Sequence, residues 1–110
     1  MQNKTDRYLG LARRAGHLVT GMGTCAGYAR KGRIKMLIMT TDLSRGSRAK
    51  AEQMAKREHI PYRIYSDSDH LSHLTGTSGR MLFGITDVHF AEMILKAMDT
   101  DETYEKEVFE

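Results

Sequence analysis

Apolar side chains recur at helical spacing over residues 5–15, at Tyr8, Leu9, Leu11, Ala12 and Ala15. Asn3 or Thr5 is placed to cap the start of this helix, and Gly16 to end it. Leu18-Val19-Thr20 reads as a short extended piece. Gly21-Met22-Gly23-Thr24 then turns into a second helix that runs to Arg30-Lys31 and closes at Gly32. The unbroken apolar run Met36-Leu37-Ile38-Met39-Thr40 has strand length and predicts a strand buried on both faces. After a loop opened by Asp42 or Ser44, a third helix reaches Glu58, with Ala51, Met54 and Ala55 on one face, and Pro61 marks its end. Tyr62–Tyr65 alternates like a strand, and Asp67–Leu74 forms a short helix stopped by Gly76. Met81–Thr86 is a second buried strand. Asp87 caps a last helix through Met98, whose inner face holds Ala91, Ile94, Leu95 and Met98.

Strands alternating with helices predict an α/β fold, a three-layer α/β/α sandwich with a mixed sheet of about four strands. The two apolar runs are its central strands. Both end in Thr-Asp before a helix, at Thr41-Asp42 and Thr86-Asp87, which is one strand-to-cap solution used twice. Residues 1–98 form the single domain, and residues 99–110 an acidic tail.

The 110-residue chain is 40% hydrophobic and 28% charged, proportions of a globular domain rather than a disordered one. No apolar run approaches the roughly 18 residues of a membrane span. The first six residues lack a signal-peptide core, so a cytoplasmic location is expected. One cysteine, Cys25, excludes an internal disulfide framework and a multi-cysteine zinc site. The net charge of +3 hides an asymmetry. Residues 1–35 carry eight basic side chains against Asp6 alone, whereas residues 99–110 carry six acidic ones against Lys106. A basic N-terminal third with an acidic tail is a common layout for nucleic-acid binders.

In α/β proteins, ligands bind on the loops that follow buried strands. Three polar loops at strand ends are candidates here: Gly21–Thr24 and Asp42–Ser47, which follow strands, and Thr75–Arg80, which leads into one. The first leads into a helix N-terminus, whose open amides accept phosphate. It lacks the Gly-Lys-Ser/Thr of a nucleotide-binding P-loop and the glycine spacing of a dinucleotide fingerprint. The third loop ends in Arg80, a side chain that forks onto phosphate or stacks on an unpaired base. His70 and His73 share a helix face near Asp67 and Asp69, but solvent-exposed histidines explain them better than a metal site, and no metal or cofactor is expected. Cys25 reads as a small apolar side chain, and Asp42 and Asp87 as caps. No catalytic constellation emerges, so the protein is not expected to be an enzyme.

Several ordered phrases resemble a known family. Leu9-Gly10-Leu11-Ala12-Arg13-Arg14-Ala15-Gly16, Val19-Thr20-Gly21, and Arg30-Lys31-Gly32 with Lys35 precede an apolar strand ending at Asp42. His59-Ile60-Pro61-Tyr62, the helix Leu71–Gly76, and Thr86-Asp87 with Phe90-Ala91 follow in order. Together, over residues 7–98, these resemble YlxQ-type bacterial proteins of the ribosomal L-seven-Ae and L-thirty-e superfamily of kink-turn RNA binders. The resemblance implies a non-catalytic, ribosome-associated protein with RNA as partner. It implies contacts by Gly21, Gly23, Thr24 and Gly27, by Arg30 and Lys31, by Asp42, Ser44 and Arg45, and by Thr77, Ser78, Gly79 and Arg80, and Arg33 is expected to pair phosphates beside Arg30 and Lys31. The superfamily's Asn, Glu and Lys positions read Gly23, Thr24 and Gly27 here. A carboxylate for guanine amino groups and one ammonium for phosphate are thus missing, so phosphate and shape recognition is expected rather than base readout. A protein-interaction module on the same fold, with a protein partner in place of RNA, is the second reading.

Overall fold

The structure is a computed structural model that describes residues 3–100. The order is α1 (Lys4–Arg14), β1 (Leu18–Thr20), α2 (Met22–Arg30), β2 (Met36–Met39), α3 (Arg45–Arg57), β3 (Tyr62–Ile64), α4 (Ser68–Thr75), β4 (Leu82–Ile85) and α5 (Val88–Thr100). The acidic tail falls on two sides of that limit. Asp99 and Thr100 end α5, and residues 101–110 lie outside the described residues.

The strands form one mixed sheet in the order β1-β4-β2-β3. β4 runs antiparallel to both β1 and β2, and β2 runs parallel to β3. The two apolar runs are the central strands, buried at every position. Alternation along them divides the core. Met36, Ile38, Phe83 and Ile85 face α1, α4 and α5, where they meet Leu9, Ala12, Leu71, Ala91, Ile94 and Met98. Leu37, Met39 and Leu82 face α2 and α3, against Cys25, Ala29, Ala51, Met54 and Ala55. Helices on both faces make this the expected α/β/α sandwich.

Gly84 lets α2 approach the sheet. A Cβ there would lie 2.7 Å from Ile34 Cδ1, 3.2 Å from Val19 Cγ2 and 3.3 Å from Cys25 Sγ. Gly84→Val is therefore expected to destabilise the fold by about 1–3 kcal/mol through overpacking. Urea unfolding checks this, and an unchanged midpoint would show that the layer repacks freely.

Caps form where short polar side chains precede helices. Asn3 accepts from the Asp6 amide, Ser44 from Ser47, Asp67 from His70 and Asp87 from Phe90. Some expectations about faces need correction. Leu11 is 37% exposed and Ala15 is exposed, because α5 packs along the Leu9–Ala12 side of α1. Leu95 is half-buried, and Ala97 takes a buried place in its turn.

Candidate nucleic-acid interface

Strand register brings the predicted loops to one end of the sheet. Thr20 lies opposite Phe83, and the Gly21 amide donates to the Leu82 carbonyl at 2.9 Å. Met39 lies opposite Leu82, and the Thr40 amide donates to the Met81 carbonyl at 3.0 Å. The exits of β1 and β2 thus flank the entry to β4. A shallow groove of about 210 Å³ opens there, lined by Gly21, Met22, Leu43, Ser47, Gly79, Arg80, Met81 and Leu82. Each of the three predicted loops contributes to it.

Gly21 is the residue this turn cannot replace. Its φ of +95° is a backbone state that disfavours side chains, and a Cβ there would sit 3.4 Å from Arg80 Nη1. The first bond of α2 runs from the Cys25 amide to the Gly21 carbonyl at 3.0 Å. The amides of Met22, Gly23 and Thr24 precede it and lack intrahelical partners. No side chain caps them, and no acidic residue stands in the first turn. The first turn of α3 also carries no acidic residue, and Arg45 begins that helix. Two helix N-termini, Arg80 and Arg45 therefore place positive potential around the groove. Among the described residues, neither arginine forms an ion pair.

Ser72 of α4 fixes the Arg80 loop. Its hydroxyl accepts from the Arg80 amide at 3.2 Å and lies 3.4 Å from the Arg80 carbonyl. Its own carbonyl accepts from the Thr77 amide at 2.8 Å. Thr77 Oγ1 lies 3.1 Å from Thr75 Oγ1. Sequence reasoning missed Ser72, since a serine inside a short helix carries no signal that it holds a loop five to eight residues onward.

The predicted contacts do not form one cluster. Gly23, Thr24, Gly27, Arg30 and Lys31 follow helical spacing along the outward side of α2, away from buried Cys25 and Ala29. A Cβ at Gly23 or Gly27 would meet nothing within 4 Å, so this side is open space bounded by backbone. Arg30 and Lys31 end it about 13 Å from Gly21. Arg33 lies beyond α2, in the turn to β2, at the far end of the sheet from the groove. The Ser44 hydroxyl is spent on capping α3, and Ser78 is exposed outside the groove.

Asp42 turns to α4 instead of capping α3. It accepts from the Ser68 amide at 3.1 Å and the Ser68 hydroxyl at 2.6 Å. The Ser68 hydroxyl, foremost, holds the Asp42 carboxyl below its usual 3.8. A lowered carboxylate pKa adds stability above the ordinary value and loses it as pH falls through the lowered one. Ser68→Ala should thus lower the melting temperature at pH 7, with the difference shrinking as acid protonates Asp42. Thermal melts from pH 7 to pH 2 check this, and a constant difference would contradict it.

His70 and His73 are exposed, as expected, but His70 has a partner. Its Nε2 lies 2.8 Å from the buried Asp6 carboxylate, which also accepts from the Tyr65 hydroxyl at 2.7 Å. This trio ties α1, the residue that follows β3, and α4 together. Burial raises the Cys25 thiol to about 12, which leaves it without nucleophilic character near neutrality. Among the described residues, no three His, Cys, Asp or Glu side chains gather to hold a metal. No helix among them is long and apolar enough to cross a membrane.

No family model matches the chain. A curated relative does: over 91 residues, 83% of this chain and 91% of the relative, it is 28% identical to the RNA-binding protein YlxQ of Bacillus subtilis (strain 168). The chain is thus similar to YlxQ over most of its length. Solved structures share its fold. A Bacillus halodurans protein of unknown function superposes with a TM-score of 0.86 at 23% identity, covering 89% of this chain and 99% of that one. The Giardia lamblia 15.5kD RNA binding protein gives 0.71 at 12% identity, covering 86% and 84%.

Proposed function

We propose that this protein is a non-catalytic, cytoplasmic RNA-binding protein that associates with the ribosome and grips a sharply bent, kink-turn-like RNA by its phosphates and shape. The observation that carries this reading is the convergence of three loops, the uncapped N-terminus of α2 and the Ser44-capped start of α3 on one groove beside Arg80. Similarity to YlxQ supports RNA as the partner.

The bent backbone would enter at Gly21, where the amides of Met22, Gly23 and Thr24 meet a phosphate and the Arg80 guanidinium a neighbouring one. It would then follow the outward side of α2, where Gly23 and Gly27 leave room for close approach. Arg30 and Lys31 pair phosphates at its end. Without a carboxylate at Gly23 or Thr24, base identity contributes little, and the bend itself selects the RNA.

The test compares a duplex RNA carrying a three-nucleotide bulge with a straight duplex of the same length. The bulged RNA is expected to bind more tightly at every salt concentration, with affinity falling steeply as salt rises. Equal affinity for both would remove shape recognition. Absence of binding at low salt, together with recovery of a protein partner from lysate, would favour the interaction module. Arg30→Ala with Lys31→Ala should weaken binding with an unchanged melting temperature, and unchanged affinity would reject those contacts.

A further inference from the structure

The end of the sheet away from the groove carries its own cations. The Thr86 amide donates to the His17 carbonyl at 3.0 Å, and the Lys35 amide donates to the Ile85 carbonyl at 2.7 Å. The turn after α1 and the turn after α2 therefore flank the same end of β4, about 10 Å apart across it. α1 delivers Arg13 and Arg14 in its last turn, and the second turn delivers Arg33 and Lys35. All four are exposed. Among the described residues none forms an ion pair, and the Lys35 ammonium donates only to the Gly32 carbonyl at 3.2 Å. The nearby carboxylate, Asp87, accepts from the Phe90 amide as the cap of α5.

Four unpaired cations repel one another, and packing does not require them. Arg13 and Arg14 suit a helix C-terminus, but one charge there already meets the dipole. The two turns belong to helices on opposite faces of the sheet, so no single helix explains their meeting. Along β4 this end lies about 10 Å from the groove, before the loops add to the distance.

We infer that Arg13, Arg14, Arg33 and Lys35 form a second polyanion site, which takes the phosphate backbone of an RNA duplex while the groove holds the bent RNA. This rests on the RNA-binding reading above. The duplex comes either from the flanking arm of the same RNA or from a second RNA, and the chemistry is shared.

The experiment uses the full chain and the variant Arg13→Ala/Arg14→Ala/Lys35→Ala. The probes are a short bulged RNA, the same RNA with one arm lengthened, and a plain duplex. Expected is binding of the short bulged RNA within about twofold of wild type, since the groove and α2 are untouched. If the arm is the source, wild type binds the long RNA at least tenfold more tightly than the short one, and the variant loses that advantage. If a second RNA is the source, wild type on immobilised short RNA captures labelled plain duplex and the variant does not. In either case the variant's dependence of log affinity on log salt is shallower by about 0.9 for each phosphate it no longer neutralises. A variant that keeps both the length advantage and the capture overturns the inference, as does a wild type that shows neither. Arg13→Glu/Arg14→Glu, which leaves the Lys35 side chain in place, gives the same readouts should the triple variant melt early. Failure of wild type to bind the short bulged RNA counts against the groove alone, because plain-duplex binding still reports this end.

Discussion

Arg80→Ala is expected to weaken binding of bulged RNA by about ten- to a hundredfold, the range for losing a charge-assisted hydrogen bond of about 1.5–3 kcal/mol. The reason is its position. Arg80 is exposed, its guanidinium stands over Gly21, and its backbone is clamped on Ser72, so the loop that carries the charge is fixed beside the open amides of α2 before RNA arrives. The backbone of that loop needs no reordering on binding, and the cost left is that of ordering the side chain. The salt dependence should become shallower by about one counterion. Arg80→Lys keeps the charge and loses the fork, so an intermediate affinity is expected. Anisotropy titration at several salt concentrations measures both, and unchanged affinity in Arg80→Ala would remove the groove from the interface.

Gly27→Gln is expected to move stability and binding in opposite directions. Gly27 lies inside α2 without positive φ, and an added side chain meets nothing within 4 Å. Removing a helical glycine should stabilise the fold by about 0.5–1 kcal/mol. The same side chain stands on the strip that the RNA backbone must approach, and affinity is expected to drop at least tenfold. Thermal melts and RNA titration on the one variant test both signs. A stabilised protein with full affinity would mean that RNA does not touch this side of α2.

Much of the fold is legible in the chain because local signals agree. The runs at Met36–Thr40 and Met81–Thr86 suit only central strands, and Ser, Asn and Asp caps mark helix starts. Strand order is not legible, because pairing β4 between β1 and β2 depends on contacts more than forty residues apart. The three loops are recognisable singly by glycine and polarity, yet their meeting is a product of register. The same register carries the C-terminal end of α2, with Arg30, Lys31 and Arg33, away from them. The Asp6, Tyr65 and His70 contact is invisible in the sequence, since Asp6 lies about sixty residues from the other two.

Amide chemical shifts followed during titration with the bulged RNA would locate the contact surface residue by residue. The largest changes are expected at Gly21–Gly27, Leu43–Ser47 and Gly79–Arg80, with small ones along Val88–Met93 of α5. Large changes on α5 with an unperturbed groove would place the RNA elsewhere and refute the groove as its binding site.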